Sequence, residues 1–276
     1  MPETIAKFTG FGLGLRKDHH CDFLTRDQPV DFVEIISENF MACGGRPLRT
    51  LDAVRERHAV AMHGVSLSLG SAHGLNPGYL AELKALARRV DPLWLSDHLC
   101  WTGTPGFNSH DLLPLPYTDE ALDICAANIA HAQDVLERPL LVENPSSYLS
   151  FAENTFTEWE FLAALTERTG CYLLLDVNNI YVSGANHGFD PREFIAGIPP
   201  DRVRQMHLAG HNQGPEGMLI DTHDAPVCGE VWALYQAAIE RFGPCATMIE
   251  RDDAIPPLPE LLIELDRARE LALASA

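Results

Sequence analysis

Side chains of the metal-ligand type recur in this sequence at one repeated place, the carboxyl end of a short apolar run. Glu34 lies in DFVEII ahead of SENF, His63 in VAMHGV, Asp97 and His98 in LWLSDHL, and Glu143 with Asn144 in PLLVEN. Asp176 lies in YLLLDV with Asn178 and Asn179 behind it, His207 in VRQMHLA with His211 four residues on, and Glu250 ends ATMIE. A lone histidine after an apolar run is usually a hydrogen-bonded structural residue. Seven such sites in succession point the other way. Gathering so many carboxylates and imidazoles without counter-charge is prohibitive, because like charges raise one another's pKa and desolvation penalises every ion. Metal cations remove the conflict. Three imidazoles and three carboxylates exceed what one ion with open positions requires, so the set predicts a binuclear or trinuclear centre. Downstream, DTHD places Asp221 and His223 two apart, on one side of an extended segment. That pair is a handle for a further metal, although spacing alone equally allows a hydrogen-bonded loop pair.

Rival chemistries lack their motifs. There is no G-x-S-x-G elbow, and Ser66 and Ser68 in HGVSLSLG read as polar loop serines. No G-x-x-x-x-G-K-[ST] phosphate loop occurs, and Gly10, Gly12 and Gly14 fail as a dinucleotide fingerprint because position 17 is Lys17. The seven cysteines are scattered with no C-x-x-C, which argues against a disulfide framework, a zinc finger or an iron–sulfur site. Asn144, Asn178 and Asn179 are suited either to orienting ligands or to bracing loops.

The elements that must position these groups are legible as eight strand candidates, the runs above plus FGLGL near residue 13, each followed by a helical or helix-compatible stretch. Helix stripes run through Leu122, Cys125, Ile129 and Leu136, through Val231, Leu234, Ala238 and Phe242, and through Leu258, Leu261, Leu262, Leu265 and Ala268. Eight β/α units in 276 residues predict α/β architecture as a single (β/α)8 TIM barrel over residues 1–276, with its site at the carboxyl face of the strands. An open doubly wound sheet is the alternative. The long connectors Trp101–Pro116 and Gly210–Val227 are then expected at the active face. With 20 Lys and Arg against 39 Asp and Glu, the net charge of −19 repels nucleic-acid backbones and anionic membranes, so neither is expected as a partner. No apolar run has signal-peptide or membrane-span character, and a cytoplasmic location is expected.

The segments FGLGLR, EIISENF, HGVSLSLGSA, LSDHLCW, LLPLPYT, VENPSSYLSF, LLLDVNNIYVSGANHGFDP, MHLAGH, IDTHDAPV and ERDDAIP resemble, in order, the DUF692 (UPF0276) family of multinuclear non-haem iron-dependent oxidases. The likeness spans about Gly10 to Pro256 and departs at Arg251, where the family pattern places tryptophan. It implies a xylose isomerase-like barrel holding two or three iron ions of mixed Fe(II)/Fe(III) state. Such an enzyme uses O2 to modify cysteine residues of a ribosomally made precursor peptide, which a small leader-recognising partner protein delivers. Oxazolone with thioamide, and thiooxazole, are among the implied products. Carried onto this chain, the resemblance gives one iron to His63 and His98, makes Glu143 the bridge, and gives the second to Asp176, His207 and Glu250. It assigns the third to His211, Asp221 and His223, with Asn179 as an additional metal or substrate contact. A zinc or manganese hydrolase or isomerase on the same barrel, acting on a sugar or a nucleic acid, is the alternative.

Overall fold

The computed structural model describes residues 5–104 and 106–274. Among them lie twelve strands: β1 (Phe11–Gly14), β2 (Phe32–Ile36), β3 (Ala59–Gly64), β4 (Leu95–His98), β5 (Trp101–Thr104), β6 (Phe107–Leu113), β7 (Leu140–Glu143), β8 (Tyr172–Asp176), β9 (Val203–Leu208), β10 (Asn212–Gln213), β11 (Leu219–Ile220) and β12 (Ala246–Ile249). Eight of these, β1, β2, β3, β4, β7, β8, β9 and β12, pair in parallel in that order, and β12 closes back on β1. They are the eight strands expected from the sequence. The remaining four make two hairpins, β5 with β6 and β10 with β11, inside the two long connectors.

The three helix stripes are buried faces as expected. Leu122, Cys125, Ile129 and Leu136 are buried on Asp119–Leu136, and Val231, Leu234, Ala238 and Phe242 on Gly229–Phe242. On Leu258–Ala274 the buried positions are Leu258, Leu261, Leu265 and Ala268, with Leu262 only half-buried. Capping fixes where helices begin: Thr118 accepts from the Ala121 amide, and Thr157 with Glu160 forms a reciprocal box.

Side chains alternate sides along a strand, and this period sorts the barrel interior into layers. Phe32, Ala61, Leu141, Leu174 and Met248 pack with Trp94 as an apolar floor. Two residues on, the same strands or their ends carry Glu34, His63, Glu143, Asp176 and Glu250. A Cβ at Gly12 would sit 2.6 Å from the Phe32 ring, so that glycine admits Phe32 to the floor.

One buried acid lies away from this layer. Glu158 opens helix Glu158–Thr169 beside Tyr117, and burial pushes its carboxyl up to about 8 against a smaller opposing effect of the Tyr117 hydroxyl. A carboxyl raised on folding from about 4.3 stabilises fully below its unfolded pKa, and that contribution is lost as pH rises through the folded value. Glu158→Gln is therefore expected to flatten the fall of Tm between about pH 5 and about pH 8, its advantage growing toward the alkaline end. Melting curves that fall in parallel for parent and variant would place the titration elsewhere.

Candidate metal centre

β3 and β4 bring His63 and His98 to Glu143 on β7. Their Nε2 atoms lie 3.3 and 3.4 Å from Glu143 Oε2. The other ring nitrogens are tied off. His98 Nδ1 is 3.1 Å from the Gly64 carbonyl, which only accepts, so that nitrogen carries the proton and Nε2 presents its lone pair. His63 Nδ1 lies 2.8 Å from Ser96 Oγ, whose own hydroxyl donates to the Met62 carbonyl, with the same consequence.

The pairing of β8 with β9 sets Asp176 beside His207. Asp176 is split in function: Oδ1 accepts from the Asn179 amide at 2.6 Å, capping helix Val177–His187, while Oδ2 is buried without a hydrogen-bond partner. His207 Nδ1 lies 2.9 Å from Glu250 Oε2 and 3.6 Å from Glu143 Oε1. His223, from the loop after β11, places Nε2 2.7 Å from Asp221 Oδ1 and Nδ1 3.3 Å from both Glu250 Oε2 and Asp252 Oδ2.

Three sets of donor atoms are close enough to share an ion: His63, His98 and Glu143; Glu143, Asp176, His207 and Glu250; and His223, Glu250 and Asp252. Glu143 belongs to the first two and Glu250 to the last two. Glu143 Oε2, Asp176 Oδ2, His207 Nδ1 and His223 Nε2 are all buried and lack aligned hydrogen bonds despite these short approaches. Close donor atoms that do not bond one another fit a shared cation, and imidazole with carboxylate suits iron, zinc or manganese.

Electrostatics point the same way. Burial works against a charged His207 ring, yet Glu34, Glu250 and Glu143 outweigh it and hold the pKa well above the ordinary value. For His223, burial is likewise outweighed by Asp221, Asp252 and Glu250. Burial drives Asp176 well above the carboxylate range, against the pull of His223. In the metal-free chain, protons thus supply positive charge that a bound cation would replace, and metal uptake would release them.

The structure gathers His63, His98, Glu143, Asp176, His207, His223 and Glu250 around one mouth. It does not bring His211 into these sets. His211 Nδ1 is 2.7 Å from Asn178 Oδ1, and Asn178 Nδ2 donates to Asp221 Oδ1 at 2.8 Å, so an amide separates the two. Asp221 touches His223 but stays outside the close sets, whereas Asp252 enters one. Asn179 lines the cavity with its Oδ1 buried and unpartnered, and Asn144 braces the Asp176 backbone through two 3.0 Å bonds. Ser68 Oγ accepts from the Thr102 amide, the loop role expected of it.

Asp252 and Arg16 were not in the sequence-derived set. Arg16 pairs with Asp252 and reaches Glu250 Oε1 at 3.4 Å, leaving Glu250 Oε2 for His207 and His223. The signals existed: Asp252 stands two residues from Glu250, as Asp221 does from His223, and Arg16 follows β1 as the ligand-type residues end the other strands. Arg251 is 4% exposed with its guanidinium 2.7 Å from Glu264, and its carbonyl accepts from Arg16. An ion pair thus fills the position. Both long connectors reach the mouth, a cavity of about 260 Å³ lined by Asp111 and Leu112 from β6 and by Asp221, Thr222 and His223.

The model of the family described as RiPP precursor modification enzyme MbnB/TglH/ChrH matches residues 10–273. The chain belongs to this family. A UPF0276 protein of Caulobacter vibrioides is 67% identical over 267 residues, covering 96% of this chain and 95% of that protein. A UPF0276 protein of Anaeromyxobacter sp. strain Fw109-5 is 50% identical over 98% of this chain and 95% of its own length. The chain also shares its barrel with more distant proteins. Endonuclease IV from Thermus thermophilus superposes with TM-score 0.60 at 17% identity, over 97% of this chain and 100% of that one. D-Psicose 3-epimerase from Clostridium cellulolyticum gives 0.59 at 10%, over 96% and 97%. These likenesses are of fold, the xylose isomerase-like barrel expected from the sequence. No described helix is long and apolar enough to cross a membrane.

Proposed function

We propose that this chain is a multinuclear iron-dependent oxidase that uses O2 to modify cysteine residues of a ribosomally made precursor peptide, brought to it by a small leader-recognising partner. The observation that carries the reading is the pair of ligand sets sharing Glu143, with unpartnered donor atoms at a barrel mouth, in a chain of the MbnB/TglH/ChrH family. His63, His98 and Glu143 would hold one iron, and Glu143, Asp176, His207 and Glu250 a second. His223 with Glu250 and Asp252 would hold a third, Asp221 lying at its edge. Bound iron would supply electrons to O2 and a seat for the substrate thiolate. The chain's part is to orient and enclose: Asn144 and Asn179 fix the Asp176 end of β8, and β6 walls one side of a cavity below the usual range for a drug-sized ligand. That size suits a side chain with its adjoining backbone.

Anaerobic purification with elemental analysis and Mössbauer spectroscopy is expected to find more than one iron per chain. Co-expression with a cysteine-containing peptide encoded beside the gene is expected to give an O2-dependent mass change. Full activity with zinc alone would overturn the oxidase reading. His223→Ala is expected to keep the two ions that share Glu143 and to lose peptide oxidation, because a loop-borne site opens at lower cost than barrel strands. Normal turnover by that variant would confine the chemistry to the pair.

A further inference from the structure

Beneath the second ligand set, the barrel interior holds a buried polar chain that the ligand assignment leaves unused. Glu34 on β2 is 3% exposed and Gln205 on β9 is 0% exposed. Trp94 Nε1 donates to Gln205 Oε1 at 2.5 Å, Gln205 Nε2 donates to Glu34 Oε2 at 2.6 Å, and Glu34 Oε1 lies 3.1 Å from His207 Nε2. Chemistry at the far end fixes the orientation of the chain. An indole nitrogen only donates, so Gln205 must turn its oxygen to Trp94 and its amide nitrogen inward.

That amide nitrogen also lies 3.0 Å from His207 Nε2, which sets up a competition. If Nε2 accepts from Gln205, the neutral ring carries its proton on Nδ1, the nitrogen facing Glu143 and Glu250, and is closed to a cation there. If Nε2 carries the proton, Nδ1 presents its lone pair to the site, and the proton needs an acceptor. Gln205, held by Trp94, offers no acceptor on that side. Glu34 does.

We infer that Glu34 is a positioning residue: its carboxylate holds the Nε2 proton of His207 and so directs the Nδ1 lone pair into the second ligand set, while Gln205 and Trp94 hold Glu34 in register. The inference rests on reading that set as a metal site. Ligand imidazoles commonly depend on such a partner on their other nitrogen, whose loss typically weakens metal binding about 10- to 100-fold.

The test uses zinc as a diamagnetic probe on the metal-stripped full chain, with 15N-histidine NMR to read each ring's tautomer and titration to read affinity. His207 in the parent is expected with its proton on Nε2 and zinc on Nδ1. Glu34→Gln is expected to bind zinc at least about tenfold more weakly at this set and to move the His207 proton to Nδ1, while His63 and His98 keep their ion. Gln205→Leu, which removes the competing donor and spares the carboxylate, is expected to keep the parent tautomer. Unchanged affinity and tautomer in a folded Glu34→Gln would overturn the inference. Should that variant not fold, the zinc-bound parent decides: a His207 proton on Nδ1 overturns the inference, and one on Nε2 facing Glu34 supports it. A parent that binds zinc in this manner but never oxidises a peptide would overturn the oxidase reading alone, and a parent that binds no zinc at this set would overturn the metal site itself.

Discussion

Glu143→Gln is expected to release about one metal ion per chain and to lower peptide oxidation by at least about 100-fold, with the barrel intact. Glu143 is 1% exposed, and its two oxygens face different partners: Oε2 the His63 and His98 rings, Oε1 the Nδ1 atom of His207. Burial raises this carboxyl, and the neighbouring imidazoles outweigh burial and hold it below the ordinary range. A carboxylate there would neutralise two bound cations at once. An amide carries no charge, and its nitrogen would turn hydrogens toward lone pairs meant for metal. Without metal, the same change removes a carboxylate that the neighbouring imidazoles stabilise, so the metal-free Tm is expected to fall. Elemental analysis and melting curves with and without metal check both halves, and full metal retention would make Glu143 a bystander. Glu56→Gln and Glu82→Gln are the controls, since both acids lie on exposed surface and their neutralisation should change stability by less than about 0.5 kcal/mol.

Gly210→Ala is expected to displace the loop that carries His223 and to destabilise the fold by about 1–3 kcal/mol. The reason is a close approach of backbone to backbone. A Cβ at Gly210 would lie 2.1 Å from the Ala225 carbonyl oxygen and 2.6 Å from that of Pro226, and neither can rotate away as a side chain would. The Gly210 carbonyl also accepts from the His223 amide at 3.1 Å, so the contact that excludes a methyl group anchors the histidine. Metal analysis should show loss from the His223 set with the His63, His98 and Glu143 set retained. Full occupancy of every site and an unchanged Tm would show that the loop relaxes freely.

Much of this molecule is local in origin and was therefore legible in the sequence. Each barrel strand is a short apolar run, each helix stripe repeats every three or four residues, and each of these patterns follows from the backbone period of its own element. The placing of ligand-type residues at strand ends followed as soon as the strands were read, because parallel strands in a barrel end at one mouth. The family likeness rested on the same segments.

Pairing register and loop path lie beyond local pattern. Sequence spacing cannot say that His98 sits beside Glu143, or Asp176 beside His207, because those neighbours come from different strands brought together by closure of the sheet. The loop after β9 shows the difference most clearly. The resemblance groups His211 with Asp221 and His223, yet Asn178 from another element stands between His211 and Asp221, while Asp252 arrives from beyond β12 to face His223. Glu34 was visible as a strand-end acid, but its bond to Gln205 and its place under His207 depend on two strands and a floor tryptophan meeting inside the barrel. Residue type and strand period alone say which strand-end side chains reach the mouth, but not that Asp252 and Arg16 join them. Which of them come close enough to share an ion, and which only hold another in place, follows from closure of the barrel, because a distance of about 3 or 4 Å between donors is set by strand register and loop course rather than by residue type.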